Sequence, residues 1–361
     1  MTDPQAVTEA LVAWFRQVRR DLPWRQTRDP YHIWVSEIML QQTQVATVIP
    51  YYERFLAQFP TPAALASAPT ERVLKAWEGL GYYSRARNLQ AGAAQVVAEH
   101  GGRVPDTWDA VRALPGVGEY TAGAILSIAY GVPVPAVDGN VLRVLSRVAL
   151  IADDITRPAT KRAITAIAAS LVPPERPGDL NEALMELGAT ICTPTRPRCA
   201  QCPIAAQCAA RAAGRQEALP VKAKKSAARA VTLAVALVER DGRFLIVKRP
   251  DDGIWAGLYA FPTTEVPAGV EAGEALGIAL VAMGIQAAVG DCALTVSHTL
   301  THRQLTIPVH RAAWQAGDVA PEGGSWVRPA DFGHYALPVP MQKIARSLDP
   351  GPLFRLRSDA T

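Results

Sequence analysis

Two short motifs, twenty residues apart, decide how the first half of this chain folds. Residues 114–118 read Leu-Pro-Gly-Val-Gly, and residues 137–141 read Val-Asp-Gly-Asn-Val. The glycines of the first motif permit a tight turn and let the backbone approach another molecule closely. A helix that starts after Gly118 would present its free N–H groups to an anion. Asp138 in the second motif is suited to capping the helix that follows it.

Outward from these motifs, the first 210 residues or so read as mostly helical, because apolar residues recur at spacings of three and four. Asp29-Pro30 predicts an N-cap and a first-turn proline, which open a helix running through Glu37 to Val48. Proline and glycine separate the further helices that we expect around residues 70–78, 84–99, 106–113, 119–130, 138–150 and 180–190.

Beyond the helical region, the sequence first resembles a linker and then a set of strands. A basic stretch of small residues over 216–230 predicts the linker. From Val231 the pattern is VTLAVALV, then a turn at Asp241-Gly242, then FLIVKR, and the segments LTVSHTL and LTIPVH are further strand candidates. We therefore expect a helical domain over 1–215 and an α+β domain over 231–350.

The composition is that of an ordinary globular protein. The 361 residues are 49% hydrophobic and 19% charged, and no apolar run is long enough to span a bilayer. Charged residues from Arg16 to Asp21 interrupt the N-terminus, so we expect no signal peptide and a cytoplasmic location, with the nucleoid in a bacterium. The net charge of +4 permits a nucleic-acid partner without requiring one.

Four of the five cysteines fall within seventeen residues, at Cys192, Cys199, Cys202 and Cys208. In a reducing cytosol such crowding indicates a metal centre rather than disulfides. Four thiolates suit an iron–sulfur cluster or a zinc ion, and the spacing alone does not decide between them. Buried structural cysteines are the remaining alternative, and Cys292, outside the group, is expected to be a core residue.

The pattern C-x6-C-x2-C-x5-C at the end of a helical segment, with the two motifs before it, resembles the endonuclease III superfamily of DNA glycosylases. The resemblance implies a mostly α, helix–hairpin–helix glycosylase domain whose cysteine loop holds a [4Fe–4S] cluster. Its six-helix subdomain would cover about 26–133, and its cluster subdomain would combine residues 1–25 with residues 134–215.

The same resemblance implies roles for both motifs. The hairpin glycines Gly116 and Gly118 would lie against a DNA phosphate. Asp138 occupies the position of the superfamily's catalytic aspartate, which faces the positive charge that develops on the deoxyribose as the base departs. Asn140 would help to hold this site, or it is an ordinary polar residue in the first turn of a helix.

One position separates the two chemistries of this superfamily. Bifunctional members use a lysine amine as nucleophile, two residues beyond the last hairpin glycine, and form a Schiff base. The residue here is Tyr120, and no lysine lies between Lys75 and Lys161. Because tyrosine cannot form an imine, the sequence predicts a glycosylase that does not cut the strand, with Tyr120 supporting the catalytic site.

Loss of a base that is a poor anionic leaving group requires an acid as well as an anion. A carboxyl group whose pKa is raised toward neutrality by burial can supply the proton. Glu37 is the candidate, in the segment SEIMLQQTQV at residues 36–45. This segment resembles the signature of the adenine glycosylase family, MutY, in which the glutamate is catalytic. The alternative is an exposed helical glutamate.

Two further segments match the same family, PWR at residues 23–25 and NEALM at residues 181–185. The resemblance implies that they line the adenine pocket, with Trp24 beside it. Arg25 and Glu182 would hydrogen-bond the edge of the flipped base. Alternatively, these two residues form an ion pair that joins two helices.

Residues 80–88, LGYYSRARN, resemble the DNA-contacting loop of that family. Tyr82, with Leu80 in the same loop, would wedge into the base stack. Gln42 would fill the gap and Thr43 would touch the opposite base. A base-flipping enzyme requires such contacts, because extruding a nucleotide costs a few kcal/mol of stacking.

In the second half, FLIVKRP at 244–250 and GIWAGLYAFP at 253–262 resemble the Nudix-like domain of MutY proteins. A Nudix hydrolase needs the carboxylates of an R-E-x-x-E-E motif to hold its metal ions. Glu265, Glu271 and Glu274 do not have that spacing. We therefore predict a domain that binds and does not hydrolyse.

The family's Nudix-like domain contacts 8-oxoguanine through a Phe-Ser-His loop. The matching residues here are Leu300, Thr301 and His302, within His298-Thr-Leu-Thr-His. Thr301 keeps the hydroxyl and His302 keeps the imidazole, so both are expected to contact the lesion. Leu300 replaces the aromatic ring.

The resemblance covers nearly the whole chain. It implies a monomeric enzyme, independent of membranes, that removes adenine mispaired with 8-oxoguanine or guanine in double-stranded DNA. The alternatives are a bifunctional pyrimidine glycosylase and lyase of the endonuclease III type, and a non-enzymatic iron–sulfur protein that binds DNA. A Nudix nucleotide hydrolase is excluded by the missing carboxylates.

Overall fold

The chain forms two compact units in a computed structural model that describes residues 3–223, 228–319 and 323–348. The first unit is helical, and the second is built around a sheet. The predicted class, a helical domain followed by an α+β domain, is confirmed, whereas the domain limits stay a prediction. The ranges of the two units are Met1–Ala68 with Arg87–Lys224, and Pro69–Ala86 with Lys225–Thr361.

The helical region confirms each predicted helix except one, and adds several. Short 3-10 helices cover Pro23–Arg25 and Cys199–Gln201. Within the described residues, no helix is long and apolar enough to cross a membrane. Helices α1 to α12 are Pro4–Val18, Pro30–Leu40, Val45–Gln58, Pro62–Ala66, Thr70–Ala76, Ser84–His100, Trp108–Arg112, Glu119–Ala129, Gly139–Val148, Pro158–Leu171, Pro177–Thr190 and Ala209–Ala212.

The helix predicted to run through Glu37 to Val48 is wrong as a single helix. It ends at Leu40, and α3 begins at Val45. Between them Gln42 adopts a left-handed φ of 59°, and the Thr43 N–H donates to the Leu40 carbonyl at 3.3 Å. The intervening residues are a polar run with no apolar face to bury, so the chain turns there instead of continuing the helix.

Side-chain caps start the two helices that carry the predicted catalytic acids. Asp29 accepts from the Tyr31 N–H at 2.8 Å, with a proline in the first turn of α2, as predicted. Asp138 accepts from the Val141 N–H at 2.7 Å at the start of α9. The capping expected for Asp138 is therefore present, and it fixes the direction of that carboxylate.

Helix α2 is a core helix rather than a surface helix. Eight of its eleven residues are buried, on every side of the helix, and none of the other three is fully exposed. It packs on α8, which is buried from Thr121 to Ser127. Elsewhere in the helical unit, a cluster of buried apolar residues packs α1, α9, α10 and α11 together, with members such as Leu11, Leu145 and Leu184. Glu37 therefore enters the interior because its helix does.

The described residues of the second unit contain helix α5, one mixed sheet and two further α-helices. Strands β1 to β7 are Arg229–Arg240, Arg243–Lys248, Tyr259–Ala260, Thr263–Glu265, Ile285–Thr299, Arg303–Gly317 and Gly324–Val327, and helices α13 and α14 are Ala272–Ala282 and Val339–Leu348. The strands are ordered β3-β2-β1-β6-β5, with β4 paired to β1 and β7 to β2. Strands β1 and β6 run parallel, with Val235 opposite Val309, and the other pairs are antiparallel.

The core position expected for Cys292 is wrong, because its side chain is exposed. Register shifts occur in β5 on both sides of this residue, between Val289 and Cys292 and between Cys292 and Leu294. Such irregularities change which face of the sheet a side chain takes. Alternation counted along the sequence could not foresee them.

Candidate active site

One cavity of about 1190 Å³ in the helical unit is lined by all four residues expected to act in catalysis. Glu37 reaches it from α2, Tyr120 from the first turn of α8, and Asp138 and Asn140 from the start of α9. These residues are far apart in sequence, and the packing of α2 on α8 brings them together.

Glu37 has the environment of a general acid. Its side chain is only 5% exposed. Burial raises the pKa of Glu37 from 4.5 to about 7, and the negative charges of Asp138 and Glu182 also favour this rise. A hydrogen bond from the Tyr120 hydroxyl and the positive charge of Arg25 act in the opposite direction. A carboxyl group of this kind still carries a proton near neutral pH.

Tyr120 contacts the acid directly. Its hydroxyl donates a hydrogen bond to Glu37 Oε2 and lies 3.2 Å from the sulfur of Met185. Burial, with the nearby carboxylates, holds the pKa of Tyr120 well above its ordinary value, so the hydroxyl remains a donor. The residue at the position of the superfamily's lysine therefore orients a carboxyl group and offers no amine.

Asp138 is held from two sides. Besides the backbone N–H that it caps, it accepts from Asn140 Nδ2 at 2.7 Å. The amide oxygen of Asn140 in turn accepts from Arg143 at 2.8 Å. Burial raises the pKa of Asp138, while these donors and the charge of Arg143 oppose the rise. Its donors thus favour an anion that faces the cavity.

Arg25 and Glu182 also line the cavity, and they form an ion pair with 3.0 Å between Arg25 Nε and Glu182 Oε1. The two residues therefore form the ion pair that the alternative predicted, and they also lie at the cavity where a flipped base is expected. The side chains are 10% and 8% exposed, so the pair is largely desolvated. Glu186, one helical turn further along α11, accepts from Arg25 and Arg20 and was missed from the sequence. The i, i+4 spacing from Glu182 could have revealed it.

The other residues expected at the base or the DNA lie in three places. Trp24 is 8% exposed at the cavity, edge-on to Tyr52 with ring centroids 5.5 Å apart. Gln42 and Thr43 line the same cavity from the turn between α2 and α3. The hairpin glycines do not line it. Gly116 has a φ of +74° and Gly118 caps α8. The remaining ones belong to the other unit.

In that second unit, the loop of Leu80 and Tyr82 meets the loop predicted to contact the lesion. The hydroxyls of Tyr82 and Thr301 are 2.8 Å apart. Tyr82 is 45% exposed with a left-handed φ of 48°, a conformation that is costly for a tyrosine and typical of functional loops. Leu80 is only 6% exposed, and Tyr83 is 9% exposed, so Tyr82 is the exposed tyrosine of the two.

The predicted lesion loop is the tip of the β5–β6 hairpin. Leu300 and Arg303 bond through their backbones, at 2.7 and 3.4 Å, around Thr301 and His302. Both tip residues are exposed. Leu300, at the position of the family's aromatic residue, packs against the core of the sheet. It is therefore part of the fold rather than a free stacking surface.

The four clustered cysteines line a second cavity, together with Arg147. Arg147 is 1% exposed, and in the described part of the chain its partners are carbonyl oxygens and the Cys192 sulfur, at 3.2 Å from its Nη1. Burial raises the pKa of the Cys202 thiol to about 11, and the other three thiols add to the rise. The four thiols lie around the same cavity, and the buried guanidinium of Arg147 places a positive charge beside them.

Comparison with known proteins agrees with this architecture. Residues 35–173 match the HhH-GPD superfamily of base excision DNA repair proteins, and residues 233–347 match a NUDIX domain. A thermostable thymine-DNA glycosylase is 31% identical, with a TM-score of 0.52 over 57% of this chain and 95% of its own. An endonuclease III–DNA covalent intermediate is 25% identical, with a TM-score of 0.50 over 60% and 99%. The fold and site define a DNA glycosylase of base excision repair.

The particular family follows from whole-chain relatives. The adenine DNA glycosylase of Homo sapiens is 38% identical over 93% of this chain and 73% of its own length. That of Rattus norvegicus is also 38% identical, over 96% and 78%. The chain belongs to the adenine DNA glycosylase family.

Proposed function

We propose that this protein removes adenine mispaired with 8-oxoguanine, or with guanine, from duplex DNA and leaves an abasic site. The observation that carries the proposal is the buried Glu37, bonded to Tyr120 in the cavity that Asp138 also lines. In that cavity, Glu37 can donate a proton and the carboxylate of Asp138 can face a cation. Hydrolysis of a glycosidic bond to adenine requires both functions.

In the proposed reaction, Glu37 donates its proton to a ring nitrogen of the flipped adenine. The bond between the sugar carbon and the base then breaks, and its electron pair leaves with the base. The carboxylate of Asp138, held by Asn140, faces the oxocarbenium ion that remains. Water adds to that carbon and gives up a proton to Glu37, which restores the acid.

The reaction is proposed to stop at the abasic site. Tyr120 has no amine to attack the sugar. Among the described residues that line this cavity, Lys161 is the one lysine. Lys161 is exposed on α10 and has no described contact with Glu37 or Asp138. Without a placed amine no Schiff base forms, and the strand is left intact.

Recognition of 8-oxoguanine is proposed for the tip of the β5–β6 hairpin. Thr301 and His302 are exposed there and offer a hydroxyl and an imidazole. The bond between Thr301 and Tyr82 joins this tip to the loop proposed to enter the base stack. Helix α13 has one carboxylate in its first turn, Glu274, and is otherwise apolar or glycine, so the unit is proposed to bind without hydrolysing nucleotides.

A [4Fe–4S] cluster is proposed for the cysteine cavity, held by Cys192, Cys199, Cys202 and Cys208. Buried Arg147 supports this: among the described residues its partners are carbonyl oxygens and the Cys192 sulfur rather than a carboxylate, and thiolates on a cluster would supply the negative charge that a desolvated guanidinium favours. The choice of a [4Fe–4S] cluster over a zinc ion rests on the match to the HhH-GPD superfamily and on the likeness to endonuclease III, together with the four thiols around one cavity.

The cluster would tie the end of α11 to the 3-10 helix of the cysteine loop and to the start of α12, because Cys192 follows α11, Cys199 begins the 3-10 helix and Cys208 caps α12. All five cysteines are free, which agrees with the reducing cytoplasm proposed as the protein's location. We also propose that the enzyme acts as a monomer, and sedimentation on and off DNA would test this.

The proposal is tested with labelled duplexes that carry adenine opposite 8-oxoguanine, guanine, cytosine or thymine. We expect free adenine from the first two, with strand breaks only after hot alkali. Borohydride should trap no covalent complex, in wild type or in a Lys161→Ala control. Strand cleavage without alkali, with borohydride trapping that Lys161→Ala abolishes, would identify a bifunctional enzyme instead.

Lesion recognition is tested with Thr301→Val, which keeps the shape but removes the hydroxyl. A hydrogen bond of this kind contributes about 0.5–1.5 kcal/mol, so the preference for 8-oxoguanine over guanine should fall roughly two- to twelvefold. Tyr82→Phe removes the hydrogen bond between Tyr82 and Thr301, so it should cause the part of this loss that comes from that bond. An unchanged preference in Thr301→Val would show that the Thr301 hydroxyl does not contact the lesion.

A further inference from the structure

Three acids on one face of α11 alternate with four arginines from the N-terminal segment. Asp179, Glu182 and Glu186 stand at positions i, i+3 and i+7, which lie on one side of a helix. The contacts run Arg16–Asp179 at 3.1 Å, Asp179–Arg28 at 3.8 Å, Arg28–Glu182 at 3.5 Å, Glu182–Arg25 at 3.0 Å, Arg25–Glu186 at 2.8 Å and Glu186–Arg20 at 2.7 Å.

The members of this charge ladder differ in exposure. The side chains of Arg16, Arg28 and Arg20 are 53%, 50% and 40% exposed. Glu182, Arg25 and Glu186, which line the cavity, are 8%, 10% and 1% exposed. Buried ion pairs are strongly sensitive to loss of one partner, whereas exposed pairs contribute little. A change in this buried part of the ladder should therefore matter most.

Both oxygens of Glu186 are occupied by arginines. Oε1 accepts from Arg20 Nε at 2.7 Å, and Oε2 accepts from Arg20 Nη2 at 2.9 Å and from Arg25 Nη2 at 2.8 Å. Hydrogen bonds between charged groups in such a fork fix geometry as well as charge. Glu186 is thus fully engaged in holding two guanidinium groups.

Arg25 is the member that connects the ladder to the site. Besides Glu186 it contacts Glu182, the Arg20 carbonyl at 3.2 Å and the face of Phe15, with 5.0 Å from its guanidinium carbon to the ring centroid. Without Glu186, its remaining carboxylate partner would be Glu182. Both the direction and the net charge of this guanidinium would then change.

We propose that Glu186 is a positioning residue for the glycosylase reaction: through Arg25 it fixes one wall of the adenine cavity and balances the positive charge that faces Glu37. The inference rests on the proposed function, since it concerns the acid of that reaction. It assigns Glu186 no contact with the base, because its oxygens are already engaged.

Four groups face Glu37 from the elements packed around it. They are Tyr120 on α8, Asp138 before α9, Glu182 on α11 and Arg25 on the first 3-10 helix. Of these, Arg25 is the cation, and its charge lowers the pKa of Glu37. Replacing Glu186 with Gln removes one of the two negative charges that offset Arg25, and leaves Glu182 as the other. Glu37 should then lose its proton at a lower pH.

The test measures single-turnover adenine release between pH 5.5 and 9 for wild type, Glu186→Gln and Asp179→Asn. In Glu186→Gln we expect the alkaline decline to move down by about one pH unit, with about a tenfold loss of rate at pH 8. DNA affinity should change less than threefold. Asp179→Asn removes a carboxylate from the outer end of the same ladder and should keep the wild-type profile. A coincident profile for Glu186→Gln would overturn the inference.

Two further variants separate positioning from general loosening. If Glu186 acts through Arg25, adding Glu186→Gln to an Arg25→Gln enzyme should change the rate less than threefold. A full tenfold additional loss would overturn the inference. Arg20→Gln releases Glu186 to act more strongly on Arg25, so the alkaline decline should move up. A downward shift in this variant would contradict the inference.

A direct titration keeps this test independent of activity and of the proposed function. Carbon NMR of protein labelled at glutamate carboxyls follows Glu37, identified by its loss in Glu37→Gln. We expect the Glu37 resonance to titrate at lower pH in Glu186→Gln than in wild type. The same midpoint in both proteins would overturn the inference. Absence of adenine release from the wild type would instead refute the proposed function.

Discussion

Glu37→Gln should inactivate the enzyme and, at alkaline pH, stabilise it. The wild-type carboxyl group is 5% exposed, and its pKa is raised from 4.5 to about 7 mainly by burial. A group whose pKa is higher in the folded state binds its proton more tightly there, so stability falls as pH rises from about 4.5 through 7. Glutamine has no such proton, and its contribution does not change with pH.

The size of the effect follows from linkage. Each pKa unit corresponds to about 1.4 kcal/mol, so ionising Glu37 destabilises the fold by about 1.4 kcal/mol at pH 5.5 and about 3 kcal/mol at pH 8. The change between these pH values is about 2 kcal/mol. For a unit of this size it corresponds to roughly 4–8 °C in melting temperature.

The assay compares melting temperatures of Glu37→Gln and wild type at several pH values between 5.5 and 8. We expect the melting temperature of Glu37→Gln, relative to that of the wild type, to rise steadily as the pH increases from 5.5 to 8. Glu119→Gln, at an exposed glutamate one residue before Tyr120, is the matched control and should show a constant difference. A constant difference for Glu37→Gln as well would mean that Glu37 ionises like an exposed carboxyl, which would refute its role as the acid.

Three other substitutions test the packing around the site. In Gly188→Ala the new Cβ would lie 2.5 Å from Asn140 Cβ and 3.2 Å from its Cα, so Asn140 moves and adenine release falls by about 10- to 100-fold. Tyr120→Phe removes the hydrogen bond that lowers the pKa of Glu37, so the alkaline decline of the rate moves up. Gly92→Ala would place its Cβ 2.7 Å from the tryptophan three residues before Glu37, and should reduce stability by about 1–3 kcal/mol, measured by denaturation.

Each of these has a clear contradicting outcome. Gly277→Ala, on α13 with nothing within 4 Å of the new Cβ, is the control for both glycine substitutions and should behave as wild type. A fully active Gly188→Ala would show that Asn140 does not hold Asp138. An unmoved pH profile in Tyr120→Phe would show that its hydroxyl does not act on Glu37. Unchanged stability in Gly92→Ala would show that the tryptophan can move without loss of packing.

Much of the site could be predicted from the sequence because its residues lie in local motifs. Asp138 lies immediately before a helix, so its capping role can be derived from one short segment. The burial of Glu37 follows from the apolar residues on every side of α2. Tyr120 stands at a fixed offset from the hairpin glycines. None of these expectations required knowledge of a distant contact.

The features that sequence reasoning missed depend on long-range packing. Glu186 is an ordinary helical glutamate until Arg20 and Arg25 are placed against it, more than 150 residues away in sequence. The exposure of Cys292 depends on register shifts in β5 that only pairing with β6 creates. The helix break at Gln42 depends on local sequence. The polar residues on both sides of it could have predicted the break, but the helical periodicity of the flanking segments concealed it.

The pH dependence of single-turnover adenine release tests the central claim most directly, that a buried, protonated carboxyl group at Glu37 drives departure of the base. Free adenine from a duplex with adenine opposite 8-oxoguanine is quantified by chromatography. We predict that the rate falls about tenfold for each pH unit above about 7, as Glu37 loses its proton. No free adenine, or a rate that stays constant from pH 7 to 9, would contradict the account.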